Sequence, residues 1–217
     1  MGMGEKGMER EVLKSLRGDL WRFCRKFDGC IKDPRTRKHL KTYVSGQLSN
    51  LPRKSIEPMA LEAGTAVRTL QEFLSIHRWD HQAAATRLRE LVQKKHGNAN
   101  AIGVIDETSF KKKGDKTPGV QRQWCGSTGK VDNCVVSVHL GLVSGDFHTF
   151  LDGDLYLPEE TWGQDTERRK EAGIPEEVVY RPKGKIALEL LKRTLSEGVT
   201  LKWVTARSEE HTSELQS

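Results

Sequence analysis

Asp106 ends a short apolar run, Ile102-Gly103-Val104-Ile105. A buried strand that delivers a carboxylate at its open end is a rigid platform for a metal ion or an acid-base group, because the strand fixes the backbone and its end stays accessible. Glu107, Thr108 and Ser109 follow, and then the triplet Lys111-Lys112-Lys113. A carboxylate close to a basic cluster suits chemistry on phosphates, since the acid can hold a cation and the lysines can hold the anion. Asp106 is therefore the candidate catalytic and metal-binding residue.

Other arrangements carry less chemistry. The string Gly126-Ser127-Thr128-Gly129-Lys130 lacks the first glycine of a phosphate loop, and Val131 stands where Ser or Thr is required. His77 and His81 are four apart, a spacing that can share a metal, but no third ligand follows at a suitable distance. Glu107, Asp132, Asp152 and Asp154 are further acids. Glu107 alternates to the opposite side of a strand from Asp106, and the other three fall in stretches that read as turns. Cys24, Cys30, Cys125 and Cys134 form no C-x-x-C pair, so they read as buried free thiols rather than a zinc site.

The elements that must hold Asp106 follow from composition and periodicity. The chain has 217 residues, enough to bury a sizeable core, with 35% hydrophobic and 30% charged residues. Its net charge of +6 is unevenly spread. Residues 1–100 hold 20 Lys and Arg against 11 Asp and Glu, whereas residues 101–217 hold 16 against 19. A basic front and a mildly acidic back suggest one part that grips a polyanion and one that carries carboxylates. No apolar run is long enough to span a bilayer, and the N-terminus lacks the apolar core of a signal peptide, which points to the cytoplasm.

Residues 9–96 read as about four helices. Val12, Leu16, Leu20, Phe23 and Phe27 make one helical face. Asp33-Pro34 is an N-cap with proline in the first turn, opening a helix with Leu40, Val44 and Leu48. Met59, Ala63, Val67, Leu70 and Leu74 line a third face, and Asp80 caps a fourth helix that stops at Gly97. Beyond residue 101 the pattern turns to strands: 102–106, 120–126, 133–143 and 147–151, expected to form an antiparallel meander. Within 133–143, Val136, Val138, Leu140 and Leu142 share one side. A polar irregular stretch follows over 152–182 with one short helix at 167–172. A helix after Gly184 turns Ala187, Leu191 and Thr194 or Leu195 inward, and a last strand lies within 199–205. The order describes an α/β fold preceded by an all-α basic region.

The sequence resembles the DDE-type transposases of insertion sequences, most closely the seven-oh-one group. The resemblance rests on IDETSF with its lysines, on PGVQRQWCGSTGKVDNCVVSVHLG, on LYLPEETWGQDTERRKEAGIPE, and on the helix leading to LKWVTA, and it covers roughly residues 30–206. It implies an RNase H-like fold with a mixed sheet. It also implies three carboxylates, Asp, Asp and Glu, that bind two divalent cations, Mg2+ or Mn2+, and cut and join double-stranded DNA at transposon ends and target sites. Asp106 matches the first Asp. Lys111, Lys112, Lys113 and Arg122 fall where they can contact the DNA backbone. Assembly as a homo-oligomer is compatible with such a reaction.

One departure alters the expectation. In the resembled family the strand that here reads LKWVTA runs into the second catalytic Asp, whereas here Ala206 is followed by Arg207 and RSEEHTSELQS. Residues 207–217 read as a non-native tail, and Glu209, Glu210 and Glu214 as solvated acids rather than substitutes. The organisation expected is a helical DNA-binding domain over 1–97, the first half of an RNase H-like catalytic domain over 98–206, and the tail. The function expected is that of a DDE transposase, metal-dependent cleavage and strand transfer, in a fragment without activity of its own. The rivals are a DNA-binding protein without catalysis and an RNase H-like nuclease of other purpose.

Overall fold

A computed structural model describes residues 15–206. The chain divides between Arg87 and Leu88 into two compact units, each described by itself.

The first unit is helical throughout its described part. Residues 15–25 form α1. A 3-10 turn at Asp28–Cys30 leads to α2, Pro34–Gln47. The Asp33 carboxylate accepts the Arg35 N–H at 2.8 Å and Pro34 sits in the first turn, as the sequence predicts. The third apolar face is two helices rather than one, α3 at Ile56–Glu62 and α4 at Val67–Ser75. Gly64 takes a φ of 61°, and the Thr65 N–H reaches back to the Ala60 carbonyl at 2.9 Å, a left-handed helix stop that a run of apolar periodicity does not reveal. Met59, Ala60, Leu70 and Phe73 make the core, with Leu40 and Tyr43 of α2 packed on it. Gly46 lets α2 approach α3: a Cβ there would meet the Met59 side chain at 2.6 Å. The predicted faces of α1 and α2 are only partly used, with Leu16, Phe23 and Leu48 exposed and Cys24 buried. Helix α5, His81–His96, starts on the Asp80 carboxylate, which accepts the Ala83 N–H at 2.8 Å.

The second unit is a mixed sheet with helix packed on one face. Its strands are β1 Ile102–Lys111, β2 Gln121–Cys125, β3 Lys130–Ser144, β4 Phe147–Leu155 and β5 Trp203–Ala206. The sheet order is β2-β3-β1-β5, with β4 also on β3. This differs from a meander. The 15-residue β3 is the spine, long enough to pair antiparallel with β1 along one side and with β2 and β4 in succession along the other. The one parallel pair joins β1 to β5.

Val138, Leu140 and Leu142 point to one side of β3 as predicted. They pack with Ile186 and Leu190, both supplied by α7, Lys183–Ser196, which follows the short α6, Thr166–Glu171. Val92 of α5 and Val199 complete this core. The buried residues of α7 are Ile186, Leu190 and Thr194; of the predicted stripe Thr194 is buried, Ala187 and Leu191 are partly buried against the same core, and Leu195 is exposed. Farther along β3 both faces are covered, so Val135, Val136, Ser137 and Val138 are all buried in succession. The second cover is the segment expected to be irregular. Trp162 is fully buried against Val120, Val135 and Leu157, and its indole N–H donates to the Val120 carbonyl at 2.9 Å.

Strand β4 runs on beyond Leu151, so Asp152 and Asp154 lie in a strand, not in turns. A bulge lies in β4 opposite Leu140 and Gly141: Leu140 pairs with Asp152 and Gly141 with Phe150, leaving Leu151 extra. Leu151 enters the core while its neighbour Asp152 turns to Arg89 and Arg193.

Candidate functional site around Asp106

Asp106 sits in the middle of β1, directly opposite His139 of β3. The strand does not end at the acid, as the sequence predicts, but continues to Lys111 because β3 extends far enough to pair with it. The carboxylate is exposed. One of its oxygens accepts the Glu107 N–H at 2.8 Å. Among the described residues it has no ion-pair partner.

The other acids differ. Glu107 is bound by the Lys183 ammonium at the start of α7. Asp132 takes Lys111 at 2.7 Å, and that contact holds its carboxyl below the usual carboxylate range and raises the lysine. Asp152 takes Arg89 at 3.0 Å and Arg193 at 2.7 Å, and Asp154 takes Arg181 at 2.7 Å. Each has a cation beside it, and Asp106 is the one of the five without such a partner among the described residues.

His139 shares the Asp106 face by strand register, a neighbour the sequence reading did not single out. Its ring is fixed: Nε2 lies 2.7 Å from the Ser137 hydroxyl, and Phe150 stands 5.1 Å away. Gly153 leaves room for it, since a Cβ there would meet Nδ1 at 2.4 Å. Burial pushes the imidazole below its ordinary pKa. The alternation of β3 held the signal, for it put His139 on the face away from the Leu140 core.

The parallel pair fixes what can stand beside Asp106. Ile105 pairs with Ala206, the last described residue. A hard divalent cation takes oxygen ligands, and Asp106 suits one such anchor. No group of three His, Cys, Asp or Glu side chains that could hold a metal stands together among the described residues, so these residues do not complete a metal site.

The basic candidates lie around the far end of β1. Lys111 is its last residue, Lys112 and Lys113 begin the loop to β2, and Arg122 is exposed on β2 opposite Asn133. Lys112, Lys113 and Arg122 make no ion pair among the described residues, whereas Lys111 is held by Asp132. His77 is not drawn into a metal cluster. Its Nδ1 lies 3.0 Å from the Thr36 hydroxyl. All four cysteines are buried and free. Hydrogen bonds from Ser127 and Thr128 lower Cys125 to about 6, and burial raises Cys134 to about 11. No helix among the described residues is long and apolar enough to cross a membrane.

Comparison with known proteins identifies the family. No solved structure matches the chain. A curated relative, described as a probable transposase for insertion sequence element IS701 from Microchaete diplosiphon, is 32% identical over 188 residues. The match takes in 86% of this chain and 46% of the relative, so the chain spans about half the length of that protein. The family of DDE superfamily endonucleases matches residues 26–209. With most of its length matched, and with a mixed α/β sheet carrying Asp106 at its centre, the chain belongs to the DDE endonuclease superfamily, in the group of the IS701 transposase.

Proposed function

We propose that this chain contributes to DNA transposition. Residues 1–97 bind DNA as a helical domain, and residues 98–206 form the first half of an RNase H-like catalytic domain whose first metal-binding carboxylate is Asp106. The observation that carries this reading is the contrast among the acids: among the described residues Asp106 is exposed and without an ion-pair partner, one register step from the end of the parallel partner strand, while Glu107, Asp132, Asp152 and Asp154 are each bound to a cation. When bound, divalent ions supply Lewis-acid stabilisation of phosphate oxygens and an activated nucleophile. The chain's own part is to present the Asp106 oxygens on a rigid strand and to hold double-stranded DNA, transposon end or target, with Lys112, Lys113 and Arg122.

The 217-residue polypeptide is proposed to be inactive by itself, because Arg207 stands where the second aspartate is expected. Manganese binding followed by electron paramagnetic resonance tests the site. Arg207→Asp should tighten Mn2+ binding, and adding Asp106→Asn should remove the gain. Equal binding by both variants would sink the role of Asp106. A strand-cleavage assay on transposon-end DNA with Mg2+ or Mn2+ should give no product, and turnover abolished by Asp106→Ala would overturn the proposed inactivity.

The second reading is a DNA-binding protein without catalysis, favoured by the excess of 20 basic over 11 acidic residues in the first hundred. It predicts binding with a steep salt dependence and no response of Mn2+ binding to Arg207→Asp.

A further inference from the structure

The loop between β1 and β2 carries Lys112, Lys113 and Lys116, directly after Lys111. Like charges packed this closely repel one another and favour a loose, extended loop. The loop is instead tied down at successive carbonyls. The Asn133 amide donates to the Lys112 carbonyl at 3.0 Å and to the Gly114 carbonyl at 2.9 Å. The Lys112 N–H returns a bond to the Asn133 carbonyl at 2.9 Å. Arg168 of α6 takes the next carbonyl, Asp115, at 2.8 Å. Its guanidinium also donates to the Thr161 carbonyl at 2.9 Å and lies 3.9 Å from the centre of the Trp162 ring. Gly119, with a φ of 78° and the Tyr156 carbonyl 2.7 Å from where a Cβ would be, closes the loop where no other residue fits.

Asn133 and Arg168 thus spend their donors on backbone carbonyls, and among the described residues the side chains of Lys112, Lys113 and Lys116 have no ion-pair partner. Lys111 is the exception, because its ammonium is bound to Asp132. We propose that Asn133 and Arg168 are positioning residues that hold the Lys112–Lys116 loop as a preformed phosphate-binding edge, with Lys111 anchoring the loop rather than touching DNA. The inference rests on the reading above that this loop contacts DNA. Holding the loop before binding removes an ordering cost from the complex, so the two residues raise affinity without adding a phosphate contact.

That separation is measurable on the 217-residue chain with a duplex of mixed sequence, by fluorescence anisotropy over a range of salt concentrations. Lys112→Ala and Lys113→Ala should each weaken binding and flatten the slope of log affinity against log salt by about 0.9. Asn133→Ala should weaken binding about three- to tenfold at every salt concentration while leaving the slope unchanged. Amide exchange over residues 113–116 should quicken in the same variant. Arg168→Lys, which keeps the charge but loses the fork of donors, should behave in the same way and serves where Asn133→Ala fails to fold. Lys111→Met should leave the slope as it is. Unchanged affinity in both Asn133→Ala and Arg168→Lys, a slope flattened by either, or a slope flattened by Lys111→Met would overturn the proposal. If Lys112→Ala and Lys113→Ala change nothing, the loop is not on the DNA and this inference falls, while the Asp106 reading still stands or falls on Mn2+ binding.

Discussion

Asp106 and Asp152 lie on β1 and β4, which flank β3 on its two sides, and meet opposite fates. Asp152 has a side chain 6% exposed, between Arg89, itself 2% exposed, and Arg193. Arg89 also holds Glu197 through two bonds of 2.6 and 2.7 Å and reaches the Leu151 carbonyl at 3.4 Å. That acid is committed to the fold. Asp106 is exposed, and among the described residues a backbone N–H is its one hydrogen-bond partner. The difference teaches that an acid's position in a strand does not reveal its role. What separates them is whether a cation has been built in to neutralise the charge.

The comparison breaks most readily at Arg89. Arg89→Ala leaves Asp152 and Glu197 without their shared partner in a buried setting, and should cost about 3–5 kcal/mol in urea unfolding. Arg89→Met with Asp152→Leu and Glu197→Leu should recover much of that loss, since an apolar cluster needs no neutralising charge. Arg193→Ala tests the exposed arm of the same network and should cost about 1 kcal/mol or less, because Arg193 is 42% exposed. Asp106→Asn should move stability by no more than about 0.5 kcal/mol, as expected for a surface site, while removing the Mn2+ response of Arg207→Asp. A loss from Asp106→Asn as large as that from Arg89→Ala would erase the distinction.

The smallest effect concerns pH. The Lys111 ammonium lowers Asp132, so this carboxylate adds stability above its unfolded pKa of about 3.9 and loses it as pH falls through the lower folded value. Lys111 is raised in turn, so its contribution persists until pH climbs past about 10.4 and through the higher folded value. The gap in thermal midpoint between wild type and Lys111→Met should therefore stay level from pH 5 to pH 9 and close at both extremes.

The parts legible in the sequence are those decided by neighbours along the chain. Asp33-Pro34 and Asp80 cap their helices because a short carboxylate and a ring-fixed φ act within three residues. Val138, Leu140 and Leu142 share a face because strand alternation is local. Asp106 was legible as an acid on an apolar strand. The length of that strand was not, since its last five residues are strand through pairing with residues 134–138 of β3. Nor were the loop carbonyls that Asn133 and Arg168 hold, which lie 19 to 53 residues away in the chain and are groups that any sequence would present. The bulge at Leu151 was equally hidden. A hydrophobic residue beside an acid reads as simple alternation until the partner strand reveals that both turn the same way.

The parallel pairing of β1 with β5 also has a consequence in time. Ile105 meets Ala206 only after about 100 further residues have been made, which at 5–20 residues per second takes roughly 5–20 s. The antiparallel side of β1 needs only β3, whose Leu140 partner follows much sooner. During synthesis the strand that carries Asp106 is therefore closed on one side and bare on the other for seconds, with unpaired backbone groups at the edge. The candidate site is among the last places in this unit to be finished, and a nascent chain lengthens by about 100 residues with that edge open to other strands.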